Sequence, residues 1–371
     1  MISKDAKLPI KRVLGPLLAI VLIVGIVVAV LISHGRKSEV DATRGIVEVK
    51  GMIGSEKEGF FADLKVIELL KANGFRVKTE KVGSRQITSR DLQGYDFGFP
   101  AGAPAALELQ KKAKAKHVYA TFYTPMAIAS WSALIPVMEK QALVKQSDGA
   151  YYIADMQQLL KLIEKGTRWN QLPGNTAYIT GKSILINSTD VRTSNSAAMY
   201  LALASYIFND NNVVDNVSQV SAILPRVTPL FLRQGLQESS SAGPFEDYTT
   251  MGMGKAPLVM IYESQFLEYQ SKRAQPNTDM ILLYPQPTIY TKHVFVPFSE
   301  NGNRLGELLA SDPELQKMAA QYGYRTSHPE YFATFLAEHQ LQAPTSLVDV
   351  IDPPSYEMLE RMIQSIEKNF Q

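Results

Sequence analysis

"STDVRTSNSAAMYLALASYIF", Ser188 to Phe208, decides how the chain is read. From Ala197 onward it is almost wholly apolar at helical length, and a helix apolar on all sides packs inside a protein. It opens on Arg192, Thr193, Ser194, Asn195 and Ser196. One Ser or Asn accepting from the first turn satisfies an N-cap. The remaining polar groups need either a buried network or a cleft to face, and that choice governs the functional reading.

Strands and helices alternate on both sides of this stretch. Gly45–Lys50 alternates as a strand, Glu58–Ala72 carries apolar residues at helical spacing, and Phe75–Val82 is again a strand. Tyr95–Phe99 and Val118–Ile128 add two strands around a helix near Ala105–Lys114. Strand–helix alternation of this kind predicts a parallel α/β sheet. A second series follows. It has a helix at Asp155–Lys165, strands at Ser183–Ile186, Pro257–Tyr262, Met280–Tyr284 and Lys292–Phe298, and terminal helices at Leu305–Leu309, Pro313–Tyr322, Pro329–His339 and Tyr356–Phe370.

With 371 residues the chain has room for two compact units. The net charge of +2 conceals an asymmetry, because the first 37 residues carry six Lys/Arg and one acid. The rest carries 32 basic and 35 acidic residues with no dense basic stripe, which excludes nucleic acid as a partner. No cysteine is present, which removes disulfides, thiol catalysis and zinc–thiolate sites. The five histidines form no H-x-x-x-H pair, so no metal or cofactor is expected. There is no G-x-S-x-G elbow and no phosphate-binding G-x-x-x-x-G-K-[ST] loop, and Met251–Pro257 reads as a turn before a strand. The chain reads as a binder, not an enzyme.

Val13–Ile32 runs 20 residues without a charge, enough to cross a bilayer as a helix. Lys4, Lys7, Lys11 and Arg12 before it keep the N-terminus inside by the positive-inside rule. The run is long for a signal peptide and lacks a good cleavage site. The expectation is a single-pass anchor in the cytoplasmic membrane, with the C-terminal body in the periplasm or cell exterior.

Four strand ends carry small or hydroxylated residues: Gly51–Ser55, Pro100–Ala103, Asn187–Ser196 and Glu263–Gln265. Open α/β sheets bind ligands at such ends, where helix N-termini present N–H groups. The segments "FYTPMAIASW" (Phe122–Trp131), "STDVRTSNSAAMYLA" (Ser188–Ala202), "APLVMIYESQF" (Ala256–Phe266) and "PTIYTKHVFVPF" (Pro287–Phe298) occur in an informative order. Together they resemble bacterial type II extracellular solute-binding proteins, nearest to the membrane-anchored members and the molybdate-type branch. The resemblance spans roughly residues 45–325.

It implies an α/β periplasmic-binding-protein type II fold of two lobes with a ligand cleft between them, behind one transmembrane helix. The implied division is 1–12 cytoplasmic tail, 13–33 anchor, 34–44 linker, 45–127 with 291–371 as lobe 1, and 128–290 as lobe 2. By matching position, Ser55, Ala101 and Gly102 would bind from lobe 1, and Ser194, Asn195, Ser196 and Tyr262 from lobe 2. Glu263 departs from a site of neutral donors: either it points away, or the ligand has a cationic or hydroxyl-rich part. The implied function is capture of a small polar solute, an oxyanion among the candidates, for an ABC transporter or for sensing. The alternative is a non-catalytic interaction or scaffold protein of an envelope complex that reuses the fold.

Overall fold

The computed structural model describes residues 45–235 and 237–370. The expected tail (1–12), anchor (13–33) and linker (34–44) lie outside them. Ten strands are present: β1 (Val47–Ile53), β2 (Phe75–Lys81), β3 (Phe97–Phe99), β4 (Tyr119–Trp131), β5 (Val144–Ser147), β6 (Ala150–Ile153), β7 (Val259–Tyr262), β8 (Met280–Pro285), β9 (Thr288–Pro297) and β10 (Val350–Ile351). Their order is β2-β1-β3-β9-β4-β8-β6-β5, with β7 joined to β4 and β10 to β9.

β4 organises the molecule. Its first half, Tyr119–Pro125, pairs with β9, while Met126–Trp131 pairs with β7 and β8. The chain therefore leaves the β1–β2–β3 half along β4 and returns to it along β9. These long apolar segments are buried on both faces, which explains their near-continuous hydrophobic reading. The expected parallel sheet is in fact mixed. β1 pairs in parallel with β2 and β3, but β9 against β3 and every partner of β4 run antiparallel. Two strands that cross between halves in opposite directions require this.

One core lies on the β1–β3 side and is rich in aromatics: Phe60, Phe97, Phe99, Phe122, Phe295 and Tyr324. The largest core lies beyond β4, around the helix Asn195–Phe208, of which every residue but Tyr206 is buried. Each large apolar side chain so buried contributes about 1.5–3 kcal/mol. The expected strand at Ser183–Ile186 is only extended chain, with isolated bridges from Ser183 to Arg168 and Asn187 to Val259. Asn187, next along the chain, docks at β7 through two backbone hydrogen bonds, with Leu258 and Met260.

The helices of residues 300–367, in the segment that the resemblance implies for lobe 1, join more than one core. Helices Glu300–Ser311 and Pro313–Gln321 do cover the β1–β3 side through Leu305, Leu309 and Leu315. Helix Pro329–Glu338, however, packs Phe332 and Phe335 against Ala127 and Ile261. Helix Tyr356–Glu367 lays Met358, Leu359, Met362, Ile363 and Ile366 into the large core. The apolar residues of these last two helices join the cores beyond β4.

Candidate functional site

One cavity of about 150 Å³ opens where the two halves meet. The β1–β3 side supplies the turn after β1 (Gly54, Ser55, Glu56) and the turn after β2 (Gly83, Ser84). The opposite side supplies Ser194 and Asn195, the serine loop 239–241, and Tyr262 from the end of β7. The halves touch directly around it. Ser240 Oγ donates to Ser55 Oγ at 2.8 Å, and the Arg85 N–H donates to the Thr193 carbonyl at 3.3 Å. Gly83 is required at this seam, because a Cβ there would press on the Thr193 carbonyl oxygen. The Arg85 guanidinium also pairs with Glu360 of the last helix.

The polar start of the central helix is not a cap. Ser194 occupies the N-cap position without a side-chain hydrogen bond to the first turn. Its hydroxyl instead lies 3.0 Å from Ser196 Oγ, which lies 2.8 Å from Thr189 Oγ1. Arg192 closes a local ion pair on Asp190, with Nε 2.9 Å from Oδ1. Ser194 and Asn195 thus line the cavity at the positive end of the helix dipole without capping the first turn. Asn195 Nδ2 donates to the Tyr262 hydroxyl at 3.2 Å and sets the position of both groups. Burial, with the Glu56 charge second, holds the Tyr262 phenol well above its ordinary value, so it stays protonated and able to donate.

Of the residues singled out from sequence, Ser55, Ser194, Asn195 and Tyr262 line the cavity. Four do not. Ser196 is fully buried behind Ser194. The Ala101 N–H is already given to Ser84 Oγ at 3.0 Å, and the Gly102 N–H to the Lys292 carbonyl at 3.1 Å. Gly102 has φ +91° and sits directly beneath the Asn195 amide, where a Cβ would collide with Oδ1. Its role is to let Asn195 approach.

Glu263 points away from the cavity. Its carboxylate takes Arg325 Nε at 2.8 Å, Arg325 Nη2 at 2.9 Å and the Tyr284 hydroxyl at 2.8 Å. A buried charge needs such partners, and here they lie on the far side of the helix start.

Sequence reading missed Glu56, Ser84 and the serine loop. The hydroxyl after β2 carries the same strand-end signal as the four ends that were noticed. The run Ser239–Ser241 carries no such signal, because it follows a helix. Below the cavity Glu56 pairs with Lys57, whose side chain is fully buried. Lys57 Nζ also lies 3.0 Å from His293 Nδ1 and 4.9 Å from the Phe99 ring centroid. Burial pushes the Lys57 amine down against the opposing pull of Glu56. Burial first, then the Lys57 charge, pushes His293 well below 6.5. His293 is therefore neutral and accepts at Nδ1, which places its proton on Nε2.

Chemically, the cavity offers hydroxyl and amide groups, the Glu56 carboxylate and, from the β2 side, the cationic side chains of Lys81 and Arg90. Among the described residues, His293 Nδ1 faces Lys57 and Glu56, and no serine hydroxyl lies within hydrogen-bond distance of its ring. Among the described residues no group of three or more His, Cys, Asp and Glu is placed to hold a metal ion.

No protein-family model and no curated protein matches the chain. Solved structures do. The sulfate-binding protein SubI from Mycobacterium tuberculosis H37Rv is 15% identical, with 87% of this chain and 99% of that one covered at a TM-score of 0.53. The substrate-binding protein of an ABC transporter from Agrobacterium tumefaciens is also 15% identical over 87% of this chain and 94% of that one, at 0.54. Iron-bound HitA from Pseudomonas aeruginosa is 13% identical over 87% and 99%, at 0.53. The chain has the mixed α/β architecture of type II periplasmic binding proteins.

Proposed function

We propose that the protein is a membrane-anchored, extracytoplasmic receptor that closes two lobes on a small polar solute, an oxyanion being the class its donors suit. The observation that carries this reading is the composition of the cavity wall: Ser55 and Ser84 from one side of β4, and Ser194, Asn195 and Tyr262 from the other. A solute bonded to both sides stabilises the closed arrangement by its differential affinity for it. β4 and β9 are the natural hinge, because the main chain passes between the halves along both.

Solved structures of the same fold are described as a sulfate-binding protein, an ABC-transporter substrate-binding protein and an iron-bound protein, which supports small inorganic solutes as the ligand class. The apolar run within 13–33 supports a single-pass anchor that holds the receptor beside a transporter or another envelope complex. No helix among the described residues is long and apolar enough to cross a membrane. The test is native mass spectrometry of the full chain released gently from detergent. A stoichiometric small polar adduct, lost on mild activation, is expected. Absence of any adduct, together with no thermal stabilisation by a panel of oxyanions and other polar solutes, overturns the receptor reading.

A further inference from the structure

We propose that the β1–β3 half binds anionic phospholipid headgroups through a basic surface beside Gly45, and so stands on the membrane with the cavity turned away from the bilayer. This rests on the anchor in the reading above and adds a contact and an orientation to it.

The strand directions fix which end of this half meets the anchor. β1 pairs in parallel with β2 and β3, and β4, antiparallel to β9 as β3 is, runs the same way as they do. The starts of these four strands therefore lie at one end, with Gly45 among them. The turns Gly54–Glu56 and Gly83–Ser84 border the cavity at the other end. β1 has seven residues and a length of about 23 Å. Residues 34–44 reach at most about 36–40 Å between an anchor and Gly45. Turning the cavity onto the bilayer would use more than about half of that reach in climbing the flank of the sheet.

Helix Ala103–Ala113 descends from the cavity end toward the start of β4 and leaves Lys111, Lys114 and Lys116 exposed at the anchor end. The sheet face it covers continues the charge. Lys50 shares a face of β1 with Met52, which packs with Leu109 of that helix, and the register sets Arg76 and Lys78 opposite Glu48 and Lys50. Lys50, Arg76 and Lys78 are all exposed. The acids on this surface are engaged. Glu48 holds Lys78 at 2.8 Å, Glu108 lies 3.8 Å from Lys111, Glu80 takes the Tyr95 hydroxyl, and Asp91 accepts the Gln93 N–H at 3.1 Å. Glu300 and Glu307 belong to helix Glu300–Ser311, which packs into the aromatic core on the opposite sheet face. The helix dipole accounts for lysines in the last turn, but not for Lys116 beyond it or for the cations on the strands. A tether keeps this surface close to the bilayer, where anionic headgroups attract each Lys and Arg.

The chain has no cysteine, so a single introduced one carries an environment-sensitive dye uniquely. His117→Cys labels the basic surface, and Ala62→Cys labels the short helix that follows the cavity turn; both positions are exposed. The full chain is reconstituted into phosphatidylcholine vesicles with or without phosphatidylglycerol, and nitroxides on the lipid headgroups quench a dye that lies against them. On anionic vesicles the dye at position 117 should be quenched at least about threefold more than the dye at position 62. The contrast should fall by at least about half at raised salt, on phosphatidylcholine alone, and in the triple variant Lys111→Gln, Lys114→Asn, Lys116→Gln. Carbonate extraction separates this inference from the anchor: a chain that carbonate releases is not anchored, and both fall. A retained chain whose dye at position 62 is quenched as strongly as that at 117, or whose contrast ignores lipid charge and the three substitutions, overturns the docking surface alone. If the dye at position 117 responds to soluble polyphosphate and not to anionic vesicles, the surface takes an anionic polymer and the lipid assignment is wrong.

Discussion

Arg325→Met should destabilise the protein without touching the solute. Glu263 is fully buried and Arg325 nearly so, joined by two hydrogen bonds at 2.8 and 2.9 Å. Removing the guanidinium leaves the carboxylate with only the Tyr284 hydroxyl. It also strips a donor from the Thr345 and Pro344 carbonyls, at 3.0 and 2.6 Å. Breaking one partner of a buried pair costs about 3–5 kcal/mol. At roughly 2–4 °C per kcal/mol for a unit of 150–250 residues, melting should fall by about 6–20 °C. The companion variant, Glu263→Gln with Arg325→Met, removes both charges and should recover most of the loss, since a buried pair contributes little net stability over neutral side chains. Differential scanning calorimetry of the three proteins measures this, and solute titration below the transition measures affinity. The reasoning is refuted if Arg325→Met melts with the wild type or the double variant melts no higher than the single. Weaker solute binding by the double variant would return Glu263 to the binding site.

Gly102→Ala places a Cβ in a left-handed backbone position, at about 1–3 kcal/mol, and drives Asn195 off its bond to Tyr262. Melting temperature and solute affinity should both fall, and an unchanged affinity would separate Asn195 from binding. His293 is buried neutral, held down by burial and then by the Lys57 charge, so below pH 6.5 the unfolded chain takes a proton that the folded one refuses. Stability should therefore decline as pH falls through that value, by up to about 1.4 kcal/mol per pH unit. In His293→Gln, whose amide oxygen can still accept from Lys57, urea titrations between pH 7 and 5 should show a flatter slope. If the anchor proposal holds, a reporter fused after Gln371 is active only outside the cytoplasm. Recovery of a freely soluble form beginning near Ser38 contradicts it.

The segments that cross between the halves were legible because β4 and β9 are long, apolar and β-branched, and that signal depends on nothing outside them. The helix Asn195–Phe208 was legible for a similar reason: an all-apolar run can only be central. Helix Val217–Leu232 was not, since Pro225 and Pro229 lie inside it and proline argues locally against a helix. At the site, strand-end residues announced Ser55, Ser194 and Tyr262. Glu56 stood beside Ser55 unnoticed, because nothing local shows that Lys57 and His293 fold under it. The serine loop reaches Ser55 across 185 residues of sequence, a contact that only tertiary structure creates. Glu263 misled because its neighbour Tyr262 faces the cavity. Successive residues at a helix start point in different directions, and Arg325 decided which.

The central claim is that one solute contacts both halves at once. Hydrogen exchange on the full chain, with and without the solute recovered by native mass spectrometry, tests it most directly. Gly54–Glu56 and Ser194–Asn195 lie in different halves and line the same cavity, so their amides report on it from both sides. The account predicts that both sets slow together at saturation, with the same dependence on solute concentration. Protection of one set alone, or of neither while the solute is demonstrably bound, would contradict it.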